Sequence, residues 1–125
     1  MTAIVIVAHH GVGESLHQQA EVILGHTLNL GLVSISEHSD PEIVLAELAR
    51  IIGSMTDPDN VLMLTDLPGA TPHNLALKAA AARELPVVSG LNLPMLLKAI
   101  NHADKPAIEL AALADLGGHQ GIVQK

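Results

Sequence analysis

The chain has 125 residues, a formal charge of −7, no cysteine, and no Phe, Trp or Tyr. These counts exclude disulfides and thiolate metal sites, stacking of bases or sugars on aromatic rings, and the basic patch that nucleic acid requires. An acidic surface suits a basic protein partner instead, and eight histidines are the unusual polar resource.

Met1 to Ala8 is apolar with no basic lead-in, so it does not read as a signal peptide. No apolar stretch approaches the ~20 residues that span a bilayer. One cytoplasmic domain over residues 1–125 is expected, without direct membrane insertion. Ala3 to Ala8, AIVIVA, is a continuous β-rich run, which predicts a strand buried on both faces. Glu14 to Leu24 has helical spacing, with Gly25 as its C-cap. Leu30 to Ser36 reads as a second strand. Asp40-Pro41 then opens a helix, with Asp as N-cap and Pro at the first helical position. Asp57 to Asn60 is a turn cluster, Val61 to Leu64 a third strand, and TDLPGATP the loop after it. Thr71-Pro72 repeats the cap-plus-Pro signature before a helix from about His73 to Arg83. Pro86 to Ser89 is a short fourth strand, and Leu93–Asn101 and Ala107–Leu116 read as helices. Gly117-Gly118 is expected to stop the last helix, and Gly121 to Lys125 to supply one short extra edge strand. This alternation predicts an α/β domain, doubly wound around a mostly parallel sheet of four strands, with helices on both faces.

Ligands of such sheets bind beyond the carboxyl ends of the strands. Two loops with unusual chemistry are expected there: HHGVGES after strand one and TDLPGATPHN after strand three. His10 is the sharpest residue, because a neutral imidazole is a good nucleophile toward phosphorus near neutral pH. The plain alternative is a strand-end histidine satisfied by backbone groups. Asp66 is placed to accept a hydrogen bond from one ring nitrogen of His10, which would leave the other free to attack; otherwise it caps its own turn. Gly69, Ala70 and Thr71 lead into a helix N-terminus, where amides and the helix dipole favour an anion; Gly11 and Gly13 are candidates for the opposite lip. His9, His10, Asp66 and His73 are also residue types that a divalent metal accepts, so a metal-dependent hydrolase is a rival reading. No HxxxH or HxH spacing supports it, and no resident metal or cofactor is expected. His17, His26, His38, His102 and His119 read as surface or loop residues.

The strand-end IVIVAHHG, the loop LTDLPGATPHN and the segment VVSGLNLPMLLKAI together resemble the IIA domain of the mannose-type family of the bacterial phosphoenolpyruvate-dependent sugar phosphotransferase system (PTS). The resemblance covers nearly the whole chain. It implies a phosphotransferase component that forms a transient phosphohistidine. The phosphorylated histidine directly precedes a glycine, which maps to His10 before Gly11. The orienting aspartate maps to Asp66, and the phosphate loop to Gly69, Ala70, Thr71 and Pro72, with the Thr71 hydroxyl on the phosphoryl group. Phosphate would arrive from the phosphocarrier HPr and leave for a separate IIB protein, serving sugar uptake or regulation. A regulatory binding module, reading out phosphorylation without transport, is the other rival. The family implies a homodimer that exchanges a C-terminal strand, here roughly Gly121 to Lys125. Two departures stand out. Ala70 replaces a glycine, and His9 and His73 are ionisable where relatives often are not, which suits a tuning role on His10.

Overall fold

A computed structural model describes all 125 residues. In chain order the elements are β1 Ala3–His9, α1 Val12–Leu24, β2 Gly31–Ile35, α2 Pro41–Gly53, β3 Val61–Thr65, α3 Thr71–Ala81, β4 Val87–Ser89, α4 Leu93–Asn101 and α5 Ala107–Gln120. The four strands form one sheet in the order β2-β1-β3-β4, and every pairing is parallel. This is the expected α/β fold.

The continuous apolar run of β1 is explained by its central position. Ile4, Ile6 and Ala8 join Leu62 and Leu64 of β3 in a core closed by Ala20 of α1, Met95, Leu96 and Ala99 of α4, and Leu110 and Ala114 of α5. Val5 and Val7 face the other way, into a core shared with Val44, Leu48 and Ile52 of α2 and Leu75, Ala76 and Ala80 of α3. A strand with period-two side chains must be apolar at every position when both faces are covered. No helix is long and apolar enough to cross a membrane.

Helix starts follow the local signals. The Asp40 side chain accepts from the Glu42 amide at 2.9 Å, ahead of Pro41. Asn92 does the same for Met95 at 2.9 Å, ahead of Pro94. At the amino end of the sheet, Asn60 ties three elements. Its Oδ1 accepts from the Ala107 amide at 2.9 Å and from the Thr2 hydroxyl at 3.1 Å, and its carbonyl accepts from Ala3.

Three expected helix boundaries change. α1 begins at Val12 and α3 at Thr71, each two residues early. The last helix does not stop at Gly117-Gly118 but runs through them to Gln120. The glycines are there for close packing: a Cβ on Gly117 would lie 2.5 Å from the Lys98 Cβ, and one on Gly118 2.8 Å from the Met95 Cε. Residues 121–125 are exposed and form no strand within the chain.

Candidate functional site

The strand order reverses between β1 and β3, so the loops after these two strands face each other across the carboxyl edge of the sheet. β1 ends at His9, which pairs with Ile35 of β2, and the His10 amide continues that ladder to the Ile35 carbonyl at 3.0 Å. Gly11 then turns the chain into α1. It takes φ 92°, a left-handed conformation open to glycine, and its amide donates to Glu14 Oε1 at 3.1 Å.

Asp66 meets His9 and not His10. One of its oxygens, Oδ2, accepts twice from His9: from the backbone amide at 3.0 Å and from ring Nδ1 at 2.8 Å. The ring of His10 instead stands with Nδ1 3.4 Å from Glu14 Oε2. The pleat explains the division. His9 is two residues past Val7 and points to the same side of the sheet, whereas the next residue turns toward α1, where Glu14 stands. The expected direct His10–Asp66 hydrogen bond is therefore absent in this arrangement.

The two dyads differ in their surroundings. Asp66 is only 11 % exposed at its side chain, against 40 % for Glu14; the imidazoles are 47 % exposed for His9 and 76 % for His10. Burial pushes the Asp66 carboxyl up, but the ring and amide of His9 outweigh it and hold the group below the usual aspartate range. Glu14 is also held low, first by the Ser34 hydroxyl beside it and then by its own and the Gly11 amide, with His10 adding a smaller pull. The second oxygen of Asp66, Oδ1, is buried and has no hydrogen-bond partner, alone among the buried side-chain polar atoms of the protein. A buried acceptor left without a donor costs roughly 1–3 kcal/mol.

Across the crevice, Gly69 takes φ 79° and Ala70 is the N-cap of α3 in an extended conformation, φ −79°. Any residue adopts that conformation, so the alanine in place of a glycine imposes no strain. Thr71 is the first helical residue and is exposed. The first helical hydrogen bond runs from Asn74 to Ala70 at 3.0 Å, so the amides of Thr71 and His73 are left for other partners. His73 is turned elsewhere: its Nδ1 donates to Thr65 Oγ1 at 2.9 Å, and Thr65 donates to Ser89 Oγ at 2.8 Å. That chain of three polar side chains ties α3 to β3 and β4.

No three or more His, Asp or Glu side chains converge closely enough to hold a metal. The rival metal-hydrolase reading thus lacks a ligand set, since His73 is committed to Thr65. Glu14, Thr65 and Ser89 were missed by sequence reasoning. For Glu14 a signal existed: a histidine and a glutamate four apart across a helix start. A cavity of about 590 Å³ lies at the opposite end of the sheet, lined by residues including Met1, Ile4, Leu28 and Ile100. The histidine edge is open surface flanked by exposed Val12 and Leu67. Such a surface admits another protein's side chain more readily than it encloses a small substrate.

Residues 3–116 match the family model EIIA-man, described as PTS system fructose IIA component. The PTS system mannose-specific EIIAB component of Escherichia coli K12 is 29 % identical over 126 residues. That alignment takes in 98 % of this chain and 39 % of the relative, so the chain spans about two fifths of the length of that protein. Two solved structures overlay on the whole fold with a TM-score of 0.89. One is the mannose/sorbose specific IIA subunit of the phosphotransferase system from Enterococcus faecalis, 27 % identical, covering 99 % of this chain and 94 % of that one. The other is phosphotransferase system component EIIA from Streptococcus agalactiae, 28 % identical, covering 99 % and 97 %.

Proposed function

Because the chain belongs to the EIIA-man family of phosphotransferase-system IIA components, we propose that it carries a phosphoryl group on His10 between two partner proteins in the cytoplasm. The donor is phospho-HPr and the acceptor a IIB-type protein. One observation carries this reading: the exposed His10 ring, with a carboxylate on Nδ1, stands at the strand edge facing a loop of free amides at the start of α3. Glu14 on Nδ1 favours the tautomer whose Nε2 lone pair is free.

In the transfer, His10 Nε2 attacks phosphorus in line. The P–N bond to the donor imidazole breaks, and that imidazole leaves with the electron pair. The reverse geometry serves the hand-off to the acceptor. Little covalent work falls to the protein beyond alignment and charge stabilisation. The Thr71 hydroxyl and the amides of Gly69 and Thr71 hold the phosphoryl oxygens, aided by the dipole of α3. Gly11 keeps the approach on the near side clear. The apolar rim of Val12, Leu67, Pro68 and Leu93 meets the partners over a small transient interface, near or below ~1,200 Å². Two copies of the chain associate through residues 121–125.

The test is phosphorylation with phosphoenolpyruvate, enzyme I and HPr, read by mass and acid lability. One acid-labile phosphate is expected, absent in His10→Ala. Labelling that survives His10→Ala refutes the assignment and transfers it to His9, whose 2.8 Å bond to Asp66 makes it the competing acceptor.

A further inference from the structure

The partner of Asp66, His9, is a residue that the transfer mechanism does not use. We infer that His9 is a positioning residue: it pins the Asp66 carboxylate through Oδ2 so that Oδ1 is presented to the ring of His10 in the reacting state. The inference rests on His10 being the phosphoryl acceptor.

Three observations carry it. First, both His9 bonds fall on the same oxygen, at 3.0 Å from the amide and 2.8 Å from the ring. Two donors on Oδ2, from one residue, fix the rotation of the carboxylate and leave Oδ1 aimed in one direction. Second, Oδ1 is buried and unpartnered. Buried acceptors nearly always find a donor, and an exception at a reactive edge marks a place held for one. Third, His10, adjacent to His9 at the same strand end, is loosely held. His10 is 76 % exposed, and its contact with Glu14 at 3.4 Å is longer than a good hydrogen bond. In the proposed reacting state the His10 ring turns from Glu14 to Asp66 Oδ1.

The exchange matters when phosphorus is on Nε2. The ring then carries positive charge and must donate through Nδ1–H. A partly exposed carboxylate such as Glu14 stabilises that donor less than the more sheltered, ionised Asp66, which can make a short charge-assisted bond. His9 keeps Asp66 ionised and oriented while this happens. It touches neither the phosphoryl group nor the attacking nitrogen.

The experiment compares wild type, His9→Ala, His9→Asn and His10→Ala as full chains. Two readouts are the rate of phosphoryl transfer from phospho-HPr and the ¹⁵N shifts of the His10 ring. His9→Ala is expected to slow transfer about tenfold or more, the scale of a small misplacement of a catalytic group. It should also loosen the preference for the Nδ1–H tautomer at His10. The Asn amide can donate to Oδ2 in place of the ring, so His9→Asn should restore most of both. Transfer by His9→Ala at the wild-type rate or faster overturns the inference, since His9 would then be idle or a competitor. So does failure of His9→Asn to rescue, with the His10 tautomer unchanged in both variants. His10→Ala that keeps its label is a separate failure, of the phosphoryl-acceptor assignment itself. Amide dispersion in the same spectra identifies any variant that has unfolded, and the Asn variant carries the test if the Ala variant has.

Discussion

Replacing Gly117 by alanine pits two effects of opposite sign against each other. Gly117 lies inside α5, where Gly is worse than Ala by roughly 0.5–1 kcal/mol on intrinsic grounds. Propensity alone therefore predicts stabilisation. The packing says otherwise. The new Cβ would stand 2.5 Å from the Lys98 Cβ, 2.8 Å from its Cγ and 3.4 Å from the Pro94 carbonyl oxygen. Carbon atoms rest at about 3.5–4.0 Å, so α4 and α5 must part by about 1 Å here. A Cβ cannot swing aside as a side-chain tip can, and overpacking of this kind costs about 1–3 kcal/mol. Separation also strains the hydrogen bond from Asn92 to the Gly118 carbonyl, 3.1 Å long. The net expectation is a loss of about 1–2 kcal/mol, a fall in Tm of about 3–10 °C for a chain of this size. Gly53→Ala is the control: it ends α2, and nothing lies within 4 Å of its would-be Cβ. It should be neutral or stabilising by up to about 1 kcal/mol. Thermal unfolding followed by far-UV circular dichroism measures both, since the chain has no aromatic residue to report by fluorescence. A Tm for Gly117→Ala that rises alongside that of Gly53→Ala would refute the packing argument.

Asp66→Asn keeps the shape of the side chain and removes its charge, so it should slow phosphoryl transfer about tenfold or more while the fold persists; an unchanged rate reduces Asp66 to a structural residue. Acid should find the same group. Its folded pKa is depressed, so the stability it contributes is fully present above the ordinary aspartate value of about 3.9 and disappears as pH falls through the folded value. Urea midpoints measured from pH 6 down to pH 2 (roughly the window set by those values) should fall less steeply for Asp66→Asn than for wild type. Superposable curves would show that the His9–Asp66 bond adds no stability.

Most of the fold was legible because its signals are local. A strand apolar at every position, Asp-Pro and Thr-Pro helix starts, and strands spaced by helices suffice for a parallel sheet with two covered faces. What failed was the meaning of Gly117-Gly118. A glycine pair reads as a stop, and only the approach of α4 shows that small size was needed there. At the site, the convergence of the two loops followed from topology, and His10, Asp66 and the start of α3 do share one edge. The finer pairing did not follow. Adjacent histidines at a strand end point to opposite sides, so which of them meets Asp66 depends on where the pleat stops, one residue either way. Sequence shows no such phase. His73 was similarly opaque: its partner Thr65 is a fully buried hydroxyl that reads as one more strand residue.

Asn60 has a consequence for how such a domain changes over time. It stitches the first strand, the third strand and the last helix together at the end of the sheet remote from the histidines. Architecture is thus secured at one pole and the candidate site displayed at the other. Loops at the reactive pole are free to diversify toward new docking partners without loosening the scaffold, and damage at the anchoring pole would surface as poor yield of folded protein, with whatever survives still competent.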